Sequence, residues 1–216
     1  MNVYFISGLA ADKRVFKNIE LPAGYTPYYL DWVMPRGNES LQEYAEKLTE
    51  TMDPSQPFVV LGLSFGGMLA IEIAKRFPAA RAILISSVAS PQNLPVYMRL
   101  AGKLRLHRIV PISIVKMAAL TKRFLTDETK EEKKFLREMI RQSDPALIRW
   151  SMNAVLTWHA EAPGLRYIHI HGSRDGILPL KYAGATHVIR GGGHLMILSR
   201  AKEINGILRQ TLLTAG

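Results

Sequence analysis

Three residues of this chain could together attack an acyl group. The first is Ser64, at the centre of Gly62-Leu63-Ser64-Phe65-Gly66. A serine hydroxyl is a weak nucleophile at neutral pH. It needs a base, and the base needs an acid that orients it. His194, at the end of Gly191-Gly192-Gly193-His194, can be the base. Asp175, within His171-Gly172-Ser173-Arg174-Asp175-Gly176-Ile177-Leu178-Pro179, can be the acid. The chain order Ser, Asp, His is one of those known to support such a constellation. The tetrahedral intermediate would also need N–H donors for its oxygen. The expected donors are the backbone N–H groups of Phe65, directly after the serine, and of Leu9, in the small-residue loop Ser7-Gly8-Leu9-Ala10-Ala11.

Elements must exist to position these groups. Short apolar runs at Val3–Ile6, Tyr25–Leu30, Phe58–Leu61, Ala82–Ile85, Arg166–Ile170 and Thr186–Ile189 read as strands buried on both faces. Helical stretches alternate with them, which predicts a parallel sheet covered by helices. Ser64 falls between the strand Phe58–Leu61 and a helix from Met68 to Phe77, ended by Pro78. In that strand–turn–helix setting, Gly62 and Gly66 remove side chains that would collide with the neighbouring strand and helix. Asp175 follows one strand and His194 the next. All three groups lie past C-terminal strand ends, where the sites of open parallel sheets gather. Ser40-Leu41-Gln42-Glu43 has capping-box spacing. It opens a helix with Leu41, Tyr44, Ala45 and Leu48 on one face, and a last helix is expected from Leu195 to Leu213.

Other readings of the motifs are weaker. No Gly-Lys-Ser/Thr follows Gly62, so the turn is not a Walker A loop, and G-x-G-x-x-G is absent there. His169 and His171 alternate on a strand and share a face. They read as a packed, hydrogen-bonded pair rather than a metal site, because no third ligand has suitable spacing. His187 reads as structural. The chain has no cysteine, which excludes disulfides and a catalytic thiol. No metal or cofactor is expected.

The strand–helix alternation stops between Pro91 and Glu161. This stretch is rich in Leu, Met, Lys and Arg and reads as a helical insertion, with Asp144-Pro145 as an N-cap and first-turn proline. Leu94, Met98, Leu104, Met117, Leu120, Phe124, Met152, Leu156 and Trp158 suggest a partly apolar pocket beneath it. Trp158 and His159 are the expected substrate contacts. The net charge of +10 is concentrated between Arg99 and Arg149. No aromatic residues interleave these cations in a nucleic-acid-binding pattern, so no nucleic-acid partner is expected. A solvated basic cap is the plainer reading, with steering of an anionic substrate left open. His107 to Leu120 could touch an interface, although packing within the cap accounts for it as well. No apolar run is long enough to span a membrane, and the N-terminus has no leader-like pattern. The expectation is a cytoplasmic protein without stable membrane insertion.

The elbow Gly62–Gly66, the acid loop His171-Gly172-x-x-Asp175 with Pro179, and Gly193-His194 together resemble the α/β-hydrolase superfamily over nearly the whole chain. The resemblance implies an α/β fold in one domain, 1–216, with a minimal, mostly parallel sheet of about six strands flanked by helices. It places residues 91–161 as a helical lid. Two departures stand out. Many members read His-Gly where this chain has Ser7-Gly8, and the chain begins at what would be the family's third strand. Ser64 excludes members with an aspartate nucleophile. The function implied is hydrolysis of a small carboxylic ester or thioester through an acyl-enzyme on Ser64, His194 and Asp175, without cofactor. The alternatives are a carbon–carbon bond hydrolase or lyase on the same residues, and a noncatalytic ligand-binding member of the fold.

Overall fold

Short apolar segments give a sheet whose central strands are buried on both faces. The edge segment Thr26–Leu30, expected to be buried as well, is largely exposed because only one side of it has a neighbouring strand. In a computed structural model, which describes residues 1–105, 110–118, 128–159 and 164–213, the strands are β1 (Asn2–Ile6), β2 (Thr26–Leu30), β3 (Phe58–Leu63), β4 (Ala80–Ile85), β5 (Tyr167–Gly172) and β6 (His187–Ile189). Their order is β2-β1-β3-β4-β5-β6, and every neighbouring pair is parallel. In β3, Phe58 and Val60 pack to one face, while Val59, Leu61 and Leu63 pack to the other. Each such side chain contributes about 1.5–3 kcal/mol by leaving water.

Helices α1 (Leu41–Thr49) and α2 (Phe65–Arg76) cover the first face. Ser40 and Glu43 close the anticipated capping box on α1. Between β4 and β5 come α3 (Val96–Lys103), α4 (Ile112–Ala118), α5 (Lys130–Gln142) and α6 (Pro145–Leu156). The Asp144 carboxylate accepts from Ala146 and Leu147 N–H, with Pro145 in the first turn of α6. A second capping box, Thr129 with Glu132, starts α5. The short α7 (Leu180–Ala183) follows β5. The other face of the sheet is covered by α8 (Met196–Ser199) and α9 (Ala201–Leu213), which replace the single C-terminal helix expected from Leu195 to Leu213.

Two strands run further at their C-terminal ends than their apolar pattern suggested. β3 continues through Gly62 and Leu63, and β5 continues through His171 and Gly172. Ser64 is therefore the residue immediately after β3. The chain leaves β1 for β2 on one side and returns past β1 to form β3. The crevice where this direction reverses lies at the C-terminal ends of β1 and β3, the switch point at which open parallel sheets bind ligands. Among the described residues no helix is long and apolar enough to cross a membrane. His107, Leu120, Phe124 and Glu161 lie outside the described residues.

Candidate active site

Ser64 sits at φ 52° and ψ −115°, a backbone conformation that a residue with a Cβ rarely holds. Its neighbours fix it there. Ser64 N–H donates to Ile85 O at 2.9 Å, and Ser64 O accepts from Gly67 N–H at 2.9 Å and from Ser87 Oγ at 2.6 Å. A Cβ on Gly62 would lie 2.1 Å from Gly66 O, and one on Gly66 would lie 2.2 Å from Ile6 O. Both contacts are with backbone, which cannot swing away. The two glycines thus let α2 and the end of β1 close on the turn. Helix α2 starts at Phe65 and not at Met68 as the pattern suggested. Its first N–H groups lack intrahelical acceptors and carry the positive end of the helix dipole beside Ser64.

The loops after β5 and β6 bring the other two groups to the serine. His194 Nδ1–H donates to Asp175 Oδ2 at 2.8 Å, which leaves Nε2 free to accept from Ser64 Oγ at 2.9 Å. Asp175 Oδ1 accepts from Ile177 N–H at 2.8 Å and Leu178 N–H at 2.9 Å. Asp175 and His194 are both buried. Burial alone would raise the Asp175 carboxyl, but the charge and hydrogen bond of His194, the proximity of His171 and the Leu178 N–H hold it below the usual carboxylate range.

The anticipated pairing of His169 with His171 is present, with His171 Nδ1 and His169 Nε2 at 3.0 Å. Burial, reinforced by His171, pushes His169 down to about 3. Burial also lowers His171. Among the described residues no group of three or more His, Asp and Glu side chains could hold a metal ion.

The loop after β1 lies against the elbow. A Cβ on Gly8 would contact Leu63 O and Ser64 Cβ, each at 3.4 Å. Leu9 and Phe65 both line the cavity beside Ser64. The loop makes a tight turn through Ala10 at φ 61°, with Ala11 N–H donating to Gly8 O at 3.0 Å and Ser7 Oγ to Ala11 O at 2.9 Å. Two residues outside the sequence motifs hold it from outside. Trp32 Nε1–H donates to Ala11 O at 2.7 Å while its ring stacks on Phe65 at 5.7 Å. Ser143, between α5 and α6, donates to Ala10 O at 2.9 Å. Both hold backbone carbonyls, a contact that leaves no pattern in the sequence.

Ser64 and His194 open on a cavity of about 370 Å³. Met68, Met98, Met139, Met152, Leu136 and Leu156 are among its walls, and among the described residues none that lines it is Lys, Arg, Asp or Glu. Of the anticipated pocket residues, Met98, Met152 and Leu156 reach it. Leu94 is buried in the core, and Leu104 and Met117 face solvent. The expected substrate contacts need correction. Trp158 is buried away from the cavity and donates to Glu72 Oε1 at 2.7 Å. His159 is exposed, with Nδ1 against Thr157 O and its carbonyl accepting from Gln42 Nε2. Helix α6 ends at Leu156, so the last of its side chains to reach the cavity belongs to Leu156. Among the described residues, none of the cap's cations lines the cavity either; Lys116, Lys134, Arg137 and Arg141 line a different groove.

Comparison with known proteins agrees with this architecture. The model of the alpha/beta hydrolase family matches residues 3–207. No curated protein matches the sequence. Among solved structures, a thermophilic esterase from Thermogutta terrifontis is similar with a TM-score of 0.76 at 18% identity, covering 99% of this chain and 90% of that one. An enol-lactonase from Burkholderia xenovorans gives 0.74 at 17% identity, over 96% and 89% of the two chains. A bromoperoxidase from Bacillus anthracis gives 0.73 at 14%, over 96% and 90%. At these identities the likeness is one of fold.

Proposed function

This chain belongs to the alpha/beta hydrolase family, and from that premise we propose that it is a serine esterase acting on small, uncharged carboxylic esters. The observation that carries the reading is the chain of hydrogen bonds from Ser64 Oγ through His194 to Asp175, opening on a cavity whose described walls carry no Lys, Arg, Asp or Glu. His194 Nε2 takes the Ser64 proton as Oγ attacks the ester carbonyl. Asp175 holds the imidazole in the required tautomer and stabilises the imidazolium. The Phe65 and Leu9 N–H groups receive the developing oxyanion. The intermediate collapses, the bond to the alkoxy oxygen breaks, and His194 delivers its proton to the departing alcohol. Water then repeats the attack on the acyl-enzyme and releases the acid. Residues 91–161 act as the helical lid over the site.

The cavity's apolar walls select the substrate. An anionic ester would have to leave water for described walls that offer no compensating cation, a cost of several kcal/mol. That argument moves the reading away from the anionic substrate the basic cap had left open. The esterase and the enol-lactonase of the same fold support the assignment of a carbonyl substrate.

A fluorophosphonate probe and a series of aryl esters of increasing acyl length test it. Labelling of the wild type, loss of labelling in Ser64→Ala, and turnover of neutral esters in preference to carboxylate-bearing ones are expected. Labelling that survives Ser64→Ala refutes the nucleophile. Labelling of Ser64 without turnover of any ester points to the carbon–carbon hydrolase or lyase, or to a noncatalytic binder.

A further inference from the structure

Behind Asp175 the polar chain does not stop. His171 Nε2 lies 2.7 Å from Leu178 O and 3.3 Å from Asp175 Oδ2. Both neighbours are acceptors, so this nitrogen carries a proton. Burial keeps the ring neutral, which leaves Nδ1 bare. His169 Nε2, 3.0 Å away, must then be the donor to it. The two rings stand at 90° to each other with centroids 5.0 Å apart, and both are wholly buried. Each tautomer in the series is fixed by the next.

Leu178 is held from both ends. Its carbonyl accepts from His171 Nε2–H, and its N–H donates to Asp175 Oδ1. The same N–H edge of His171 presents its positive end to Oδ2, the oxygen that holds His194. The titratable groups facing His171 are Asp175, His194 and His169. A pair of histidines that merely filled space would gain from being apolar, because buried rings with polar nitrogens cost desolvation. Here the polar nitrogens form one directed series that ends at the acid.

We propose that His171 is a positioning residue for the Ser64–His194–Asp175 chain: it clamps the Leu178 segment and faces Oδ2, fixing the carboxylate that receives His194, and His169 holds it in the one tautomer that can do so. This rests on the esterase reading. The donor is a neutral ring, so it orients the carboxylate without competing for the proton that His194 carries. It also shares the charge of Oδ2, which weakens that oxygen's pull on the His194 proton.

The test compares wild type, His171→Leu and His171→Gln on a neutral aryl ester, with active sites counted by fluorophosphonate titration. Glutamine can place an N–H where His171 Nε2 stands; leucine cannot. In His171→Leu, kcat per titrated site is expected to fall about tenfold with KM little changed, the loss of a hydrogen bond at a charged group. The acid limb of its kcat/KM profile should move to higher pH, because Oδ2 then pulls harder on the His194 proton. His171→Gln should recover most of the rate and the wild-type limb. Equal kcat per site and an unmoved limb in His171→Leu overturn the proposal and leave the pair as packing. If His171→Leu does not fold, the ring nitrogens of the wild type decide by NMR. His171 must be the Nε2–H tautomer and stay neutral across the acid limb, and either an Nδ1–H tautomer or a protonated ring overturns the proposal. Failure of the wild type to label or turn over would instead refute the esterase reading beneath it.

Discussion

The two buried histidines should make the protein lose stability in mild acid, and the loss can be worked out. His169 is held down to about 3, against an ordinary value of 6.5, chiefly by burial. Below pH 6.5 the unfolded chain therefore binds a proton at this position and the folded chain does not. Stability is full above the unfolded value and falls as the pH drops through the gap, by about 1.4 kcal/mol per pH unit for each such group. From pH 6.5 to about 5, His169 alone removes about 2 kcal/mol, a sizeable part of the 5–15 kcal/mol typical of a domain. His171 is displaced in the same direction by burial and adds to the slope. Asp12, Glu43, Asp53 and Asp175 are all lowered, so their contributions fade only below ordinary values of 3.8 to 4.5, outside this window. Urea unfolding followed by tryptophan fluorescence, repeated at half-unit steps of pH, measures the slope directly. His169→Leu will change the absolute stability, but its slope should be shallower by about 1.4 kcal/mol per pH unit, one proton's worth. An unchanged slope in that variant, with an unchanged urea dependence, refutes the claim that His169 is buried neutral.

Three further outcomes follow from particular contacts. Ser64→Gly should abolish ester turnover yet raise stability by about 1 kcal/mol in thermal unfolding, because glycine relieves the positive φ at the elbow. Trp158→Phe should lose about 1.5–3 kcal/mol in chemical unfolding, the cost of the buried bond to Glu72, while KM for every ester stays as in the wild type. Met152→Trp should fill part of the cavity and shift the preferred aryl ester to shorter acyl chains, read as the ratio of kcat/KM along the series.

The parts of this site that were legible in the sequence are those where the backbone allows only one residue type. Gly62 and Gly66 can be read because a Cβ at either would overlap main-chain carbonyls. Asp175 and His194 could be placed because short apolar runs mark strand ends, and the loops after them gather on one side of a parallel sheet. The ends of β3 and β5 were harder to place, because glycine and histidine break the apolar pattern while the ladder of hydrogen bonds continues. The cap was the least legible. Its helices could be recognised from caps such as Asp144, but which face of each turns inward depends on packing against neighbours far away in sequence. Met152 and Leu156 face the cavity and Trp158, beyond the last turn of α6, does not. Composition treated the three alike.

That difference bears on what the net charge means. A basic surplus above an active site invites the inference of an anionic substrate, and the sequence supports it as far as composition can. Position reverses the argument. Lys116 spends its charge on the Arg141 and Ser143 carbonyls at the end of α5, at 3.2 and 2.7 Å, where a cation complements the helix dipole. Lys134, Arg137 and Arg141 share its groove. Ser143, in the same turn, donates to Ala10 in the loop that carries Leu9. Charge on this part of the cap thus helps to hold the wall that meets the loop after β1, while the inner surface of that wall presents Met139 and Leu136 to the cavity. Cations at a site's rim raise the encounter rate of anions only if the interior can then hold the charge, and the described walls of this interior offer no cation to hold it. An apolar acyl group loses nothing on entering and gains about 25 cal/mol for each Å² it removes from water. Discrimination by the cavity should therefore follow the apolar area of the acyl chain and respond weakly to salt.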